Sequence, residues 1–166
     1  MPNWCNCDLV VRGKAATLKK FVRENKGVAP TYSDSVGRWA EALSPAAQAE
    51  AKANREATKP LSFHQSRPVP KSVLKKGFND AGYDWQIENW GTKWNPAEVQ
   101  IEEDYAAGYV RYTFVTAWSP PEGWVRAAAK KYPTLRLRLE YDEPGVHFEG
   151  ALEMRGSVVI HEVYHE

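Results

Sequence analysis

The chain has 166 residues, of which 43% are hydrophobic and 26% charged, with a formal net charge of +1. That length suits one domain that buries its own core without metal or disulfide staples. The near-neutral balance argues against a whole-surface electrostatic grip on nucleic acid or on an anionic membrane. No run of eighteen apolar residues is present, so no transmembrane helix is expected.

The opening MPNWCNCDLVV leads directly into a predicted strand rather than a basic, then apolar, leader, and a cytoplasmic location is expected. Cys5 and Cys7 are two apart and would share one face of that strand. Such neighbours rarely form a relaxed disulfide, and no third cysteine completes a thiolate site. Burial of at least one of them as a small apolar group is the expectation, with no metal and no cofactor. After Arg12-Gly13, the segment KAATLKKFVRENKG places Leu18, Phe21 and Val22 at i, i+3, i+4 and predicts an amphipathic helix stopped by Gly27.

The periodicity then lapses. From about 28 to 80 there are several prolines and one alanine-rich helix, announced by Ser44, Pro45 and Gln48 as a capping box with proline at the first turn. That helix has almost no large apolar face. This stretch is predicted to be an insertion. Regular structure resumes with EVQIEED and YVRYTFVTAW, which alternate Val99 and Ile101, then Val110, Tyr112 and Phe114, against polar neighbours around Ala106-Ala107-Gly108. They form a predicted hairpin. Ser119 with Glu122 three residues on signals a helix start, the helix carrying Trp124, Val125, Ala128, Ala129 and Tyr132. LRLRLEY puts Leu135, Leu137, Leu139 and Tyr141 on one face, and two more strands follow around VHFEGALE and SVVIHEVYH.

Without the insertion and the last strands, the order is β-α-β-β-α-β. The predicted class is α+β: a ferredoxin-like split β-α-β antiparallel sheet with two packed helices, a helical or irregular insertion and extra C-terminal strands, forming one domain over residues 1–166. The name is topological, because two cysteines do not supply the four ligands of a cluster.

MPNWC, ENWGTKWN, TAWSPP and GVHFEG, with the Pro-Val-Pro of residues 68–70, resemble the YubB-like ferredoxin-like family of phage and plasmid proteins. The resemblance covers the first strand and roughly Pro68 to Gly150. It implies a fold and a setting, a mobile genetic element in a bacterial host, and supplies no reaction. One departure is Cys7, which stands where the family pattern leads one to expect asparagine; here the asparagine is Asn6.

Three tryptophans, Trp85, Trp90 and Trp94, fall within ten positions. Trp90 and Trp94 are expected to fold with Trp4 and Trp118 into an aromatic closure at one end of the sheet, with Gly91 making a tight turn. Any ring left exposed would anchor a partner, so Trp90, Lys93, Trp94 and Trp118 are candidate partner-binding residues. A second candidate set is Arg67, Lys71, Lys75 and Lys76, in an acid-free segment spanning 59–76. From Glu140 onward seven acids face Arg155 alone. The basic and acidic segments either neutralise each other within the fold, or present a patch for phosphate or a surface for a basic partner.

The expected function is a non-catalytic accessory protein that binds a host or element macromolecule, a host-defence component among them. The alternatives are a nucleic-acid binder using residues 59–76 and a small hydrolase or transferase around His147 and Glu149, which share a face if both lie on a strand. No catalytic residue is assigned, since phosphate-loop, zinc-protease, serine-hydrolase and dinucleotide motifs are all missing. His161 and His165 would stand about 13 Å apart along a strand, too far to share a metal.

Overall fold

Alternation sets the first strand. In β1 (Trp4–Arg12) Cys5, Cys7, Leu9 and Val11 point to one face and are buried, while Trp4, Asn6 and Arg12 lie exposed on the other. A period of two is what a strand with one covered face requires. The computed structural model describes residues 3–35 and 42–166. Met1 and Pro2 of the opening motif, and positions 36–41 of the expected insertion, lie outside the described residues.

Helix α1 (Ala15–Asn25) follows β1 and buries Leu18, Phe21 and Asn25. The chain then leaves the sheet. It forms α2 (Pro45–Glu56), α3 (Phe63–Ser66), α4 (Lys71–Lys76), a π-helical turn over Phe78–Gly82 and α5 (Tyr83–Trp90) before returning as β2 (Ala97–Asp104) and β3 (Tyr109–Ala117). Helix α6 (Glu122–Lys131), β4 (Arg136–Glu143), β5 (Phe148–Arg155) and β6 (Val158–His165) complete it. The strand order is β2-β3-β1-β4-β5-β6, antiparallel throughout. Its first four strands with α1 and α6 are the split β-α-β plan, and β5 and β6 widen it.

The core fills the space between helices and sheet. Phe63 is its hub, with ring centroids 5.0 Å from Trp124, 5.6 Å from Trp90 and 6.0 Å from Phe114. Phe21 meets Tyr132 and Tyr112 edge to face in a second group. Such offset pairs contribute beyond their buried area. The short α3 holds Phe63 in place through polar bonds: Phe63 N–H donates to Asn95 Oδ1 at 2.8 Å, and Ser66 Oγ donates to Asn25 Oδ1 at 2.5 Å.

Three sequence expectations change. The excursion from the sheet ends at Ala97 rather than near 80, because Tyr83–Trp90, which carries the first two of the three clustered tryptophans, is itself helical. Its inward positions are Gln86 and Trp90, and Gln86 is polar, buried between the Tyr32 hydroxyl and the Lys93 carbonyl, so apolar periodicity does not announce the helix. Ser119 does not cap α6, which starts at Glu122 after Pro121. Pro120 and Pro121 have no N–H for it to bond, and proline keeps the residue before it out of the helical region. At α2, Ser44 accepts from Ala47 N–H as expected, but Gln48 reaches the Leu43 carbonyl instead of closing a box.

Candidate partner-binding site

The site is built where α5 ends beside the start of α6. Gly91 terminates α5 at φ 89°, its N–H bonding the Gln86 and Ile87 carbonyls. A Cβ there would stand 2.8 Å from the Pro120 carbonyl oxygen, and one at Gly123 equally close to that of Asn89. Glycine at both positions lets the two backbones approach. The approach is locked by side chains: Thr92 Oγ1 donates to the Ala117 carbonyl at 2.9 Å, Ser119 Oγ to Gly91 at 2.6 Å, and Thr116 Oγ1 to Ser119 at 2.8 Å.

Trp118 sits on this frame at φ 68°, a left-handed conformation uncommon for a bulky residue. Its N–H bonds the Asn3 carbonyl at 2.9 Å, which ties the turn to the entry of β1. The Lys93 ammonium lies 3.5 Å from the centroid of the Trp118 indole and 4.2 Å from that of Trp94. Trp94 is 6.3 Å from Trp4. Four residues from three segments thus form a row: Trp4, Trp94, Lys93, Trp118. Lys93 is buried at 9% exposure, whereas Trp4, Trp94 and Trp118 keep 38%, 38% and 48%. The lysine is the filling of the row and the indoles are its outer surface.

Beside this row runs the sheet face that none of the described helices covers. A trough of about 720 Å3 crosses it, and its lining includes Asp8, Glu98, Glu140, Asp142 and Glu149 with no lysine or arginine among the described residues. Trp4 continues β1 from Asn6, which lines the trough, on the same face. At the far end of the face Arg111 is engaged with Asp8, Arg136 with Glu153, and Arg138 with both Glu140 and Glu153, while Arg155, opposite Arg136, is exposed and makes no ion pair among the described residues. Arg12 lies over the Tyr109 ring at 5.5 Å.

The structure brings Lys93, Trp94 and Trp118 together and adds Trp4, which sequence reasoning placed only in the aromatic closure. Trp90 is the correction. It is fully buried, its indole N–H donates to the Arg67 carbonyl at 2.8 Å, and it packs against Phe63 and Trp85. It is the helical residue facing inward, one position before the glycine that turns Trp94 outward. No face of Trp90 is left to anchor a partner.

Arg67 does not join the tryptophan row; it donates to Asn89 Oδ1 and lies over the Trp85 ring. Lys71, Lys75 and Lys76 are exposed on α4 and make no ion pair among the described residues. Of the alternatives for the basic and acidic segments, mutual neutralisation finds no ion pair between them among the described residues. Glu162 pairs with Arg126, and Glu140 and Glu153 pair with arginines of β4, the nearest cations across or along the sheet.

His147 precedes β5 in a turn at φ 61°, so strand alternation does not align it with Glu149, and no hydrogen bond joins the two. Cys5 and Cys7 are free and buried as expected, and burial holds the Cys7 thiol well above its ordinary range. Among the described residues no cluster of three or more metal-ligating side chains occurs, and no helix is long and apolar enough to cross a membrane.

Residues 89–166 match a family model described as a ferredoxin-like domain in Api92-like protein. In three dimensions the chain is similar to the crystal structure of protein Api92 from Yersinia pseudotuberculosis. The TM-score is 0.69 at 9% sequence identity, over 100% of this chain and 99% of that chain. At that identity the likeness is one of fold. No curated protein matches the sequence.

Proposed function

We propose that the protein is a non-catalytic accessory protein that acts by binding a macromolecule of the host or of the mobile element that encodes it. The phage or plasmid setting comes from the resemblance of ENWGTKWN and TAWSPP to that group of proteins, and a host-defence component is the partner that setting favours. The observation that carries the binding reading is the row of three exposed indoles on a frame locked by glycine approaches and buried hydroxyl bonds. Large rigid aromatics anchor interfaces at low entropic cost, and most surface positions do not expose them side by side. Asp8 and Glu140 of the trough are held by Arg111 and Arg138, but Glu98, Asp142 and Glu149 make no ion pair among the described residues and suit a basic segment, whose arginines would stack on the indoles and pair with these carboxylates.

The test is retrieval of partners from a bacterial host by the tagged chain, compared with a Trp4→Ala/Trp94→Ala chain shown to keep its fold by circular dichroism. The reading expects a protein retained by the first and lost by the second, with retention weakening as salt rises. If nothing is enriched, or if the double variant retains the same proteins, the tryptophan row is not a binding edge.

A second reading has its own observation: lysines 71, 75 and 76 on α4 are exposed, make no ion pair among the described residues, and suit a phosphate backbone. Gel retardation of DNA or RNA that falls steeply with salt, and falls further in a triple Lys→Ala chain, would favour it over the first.

A further inference from the structure

The two edges of the sheet differ. β2 carries Glu98, Glu102, Glu103 and Asp104, and its register shifts between Ala97 and Gln100. Charge and irregularity are the means by which an edge strand resists pairing. β6 has a single acid, Glu162, with neither lysine nor proline, and it exposes Val158, Val159, Ile160 and Tyr164. Its own register shift lies near its start. From His161 to His165 it pairs with β5 without a break, His161 opposite Glu153, Val163 opposite Ala151 and His165 opposite Glu149.

That unbroken run reads His-Glu-Val-Tyr-His, with histidines placed symmetrically about Val163. We propose that β6 pairs antiparallel with β6 of a second copy about a two-fold axis at Val163, joining two six-stranded sheets into one. Residues directly opposite in an antiparallel pair point to the same face, so a two-fold between identical strands must pass beside a residue and not between two. An axis at Glu162 sets two carboxylates against each other. The axis at Val163 sets two valines together instead.

The side-chain rows across the joined sheet are then complementary. On the open face the central row is Ala151, Val163 and the same two residues of the second copy, all apolar. On each side of it a row runs Glu149, His165, then His161 and Glu153 of the second copy, so each pair of imidazoles has the Glu149 carboxylate at one end and, at the other, the Glu153 carboxylate that Arg136 and Arg138 already hold. On the helix face Glu162 stands opposite Tyr164 of the second copy, whose hydroxyl can donate to the carboxylate already held by Arg126. Backbone groups on the outer edge of β6 gain partners, and the exposed Tyr164, packed at 5.9 Å on Phe148, is covered. This inference does not rest on the tryptophan row or its partner.

Light scattering coupled to size exclusion, on the full chain over a concentration series, tests it. The wild-type mass should rise to twice the 18.8 kDa chain mass. Val163→Lys and Val163→Glu should each remain single chains, and an equimolar mixture of the two should recover the doubled mass, because only a residue at the two-fold meets itself. A wild type that stays single at its highest soluble concentration overturns the proposal. So does a dimer that survives Val163→Lys, or a mixture that stays single. Should either variant fail to fold, amide hydrogen exchange on the wild type decides. Protection over 161–165 must increase with concentration while that of β2 does not, and equal behaviour of the two edges overturns the proposal.

Discussion

The ammonium of Lys93 rests 3.5 Å from the centre of the Trp118 ring, on a residue that is only 9% exposed. A cation against an indole face gains from the ring quadrupole, and more when desolvated, on the order of 1–2 kcal/mol. Lys93→Met keeps the length and apolar stem of the side chain and removes the charge. The expected result is a loss of about 1 kcal/mol in unfolding free energy by urea titration, together with altered tryptophan fluorescence, since Trp94 and Trp118 both flank the ammonium.

Trp118 holds its ring over Lys93 from a left-handed backbone. Truncation loses the ring contacts whatever replaces it, but only glycine also escapes the conformational cost, on the order of 1 kcal/mol. Trp118→Gly is therefore expected to be more stable than Trp118→Ala by about that amount, contrary to the usual ranking of these residues in regular structure. Equal urea midpoints would show that the backbone relaxes once the ring is gone.

The parts of the fold legible in sequence are those where one side chain per period faces the core. β1, β3 and β4 alternate so cleanly that Leu9, Tyr112 and Leu139 are all identifiable as inward residues, and all are buried. The helical excursion is legible only at α2, where Ser44 and Pro45 mark the start. α5 hides because Gln86 occupies one of its inward positions, its polarity satisfied by Tyr32 and Lys93, partners that only the tertiary fold supplies. Of the candidate site, Trp94, Trp118 and Lys93 were readable from their motifs. The burial of Trp90 was not: the two indoles look equivalent in sequence, and only Gly91, ending the helix between them, sends them opposite ways.

The Tyr112 hydroxyl is, among the described residues, the one buried side-chain polar atom with no hydrogen-bond partner. Burial also raises its pKa well above the ordinary 10. A buried hydroxyl without a partner forfeits its hydration, on the order of 1 kcal/mol or more. Tyr112→Phe removes the oxygen and keeps the ring against Phe21. It is expected to raise the urea midpoint, and a lower midpoint would mean that the hydroxyl has a bound water to lose.

Trp90 and Trp94 separate core from surface in one experiment. Trp90→Ala empties a site bounded by Phe63 and Trp85 and is expected to cost about 3–5 kcal/mol. Trp94→Ala removes a ring with one open face and should cost far less. Partner retention should show the reverse order when both chains are compared under conditions where Trp90→Ala is still folded. Loss of retention only through unfolding of either chain would count against the row as an interface.

His64 gives the stability a pH dependence whose sign follows from its surroundings. It is half-buried beside the hub residue Phe63, its Nδ1 accepts the Val69 N–H at 3.0 Å, and desolvation lowers its pKa below the ordinary 6.5. An imidazolium could not accept that bond. Between the lowered folded value and 6.5 the unfolded chain binds more protons than the folded one, so the unfolding free energy rises with pH across that window. The contribution is complete above 6.5 and is lost as the pH falls through the folded value. Urea midpoints measured from pH 7.5 downward, an interval of about two to three units around the ordinary histidine pKa, should decline for the wild type. In His64→Gln, which keeps an acceptor but has nothing to titrate, this part of the slope should vanish. An unchanged slope would assign the dependence to other groups.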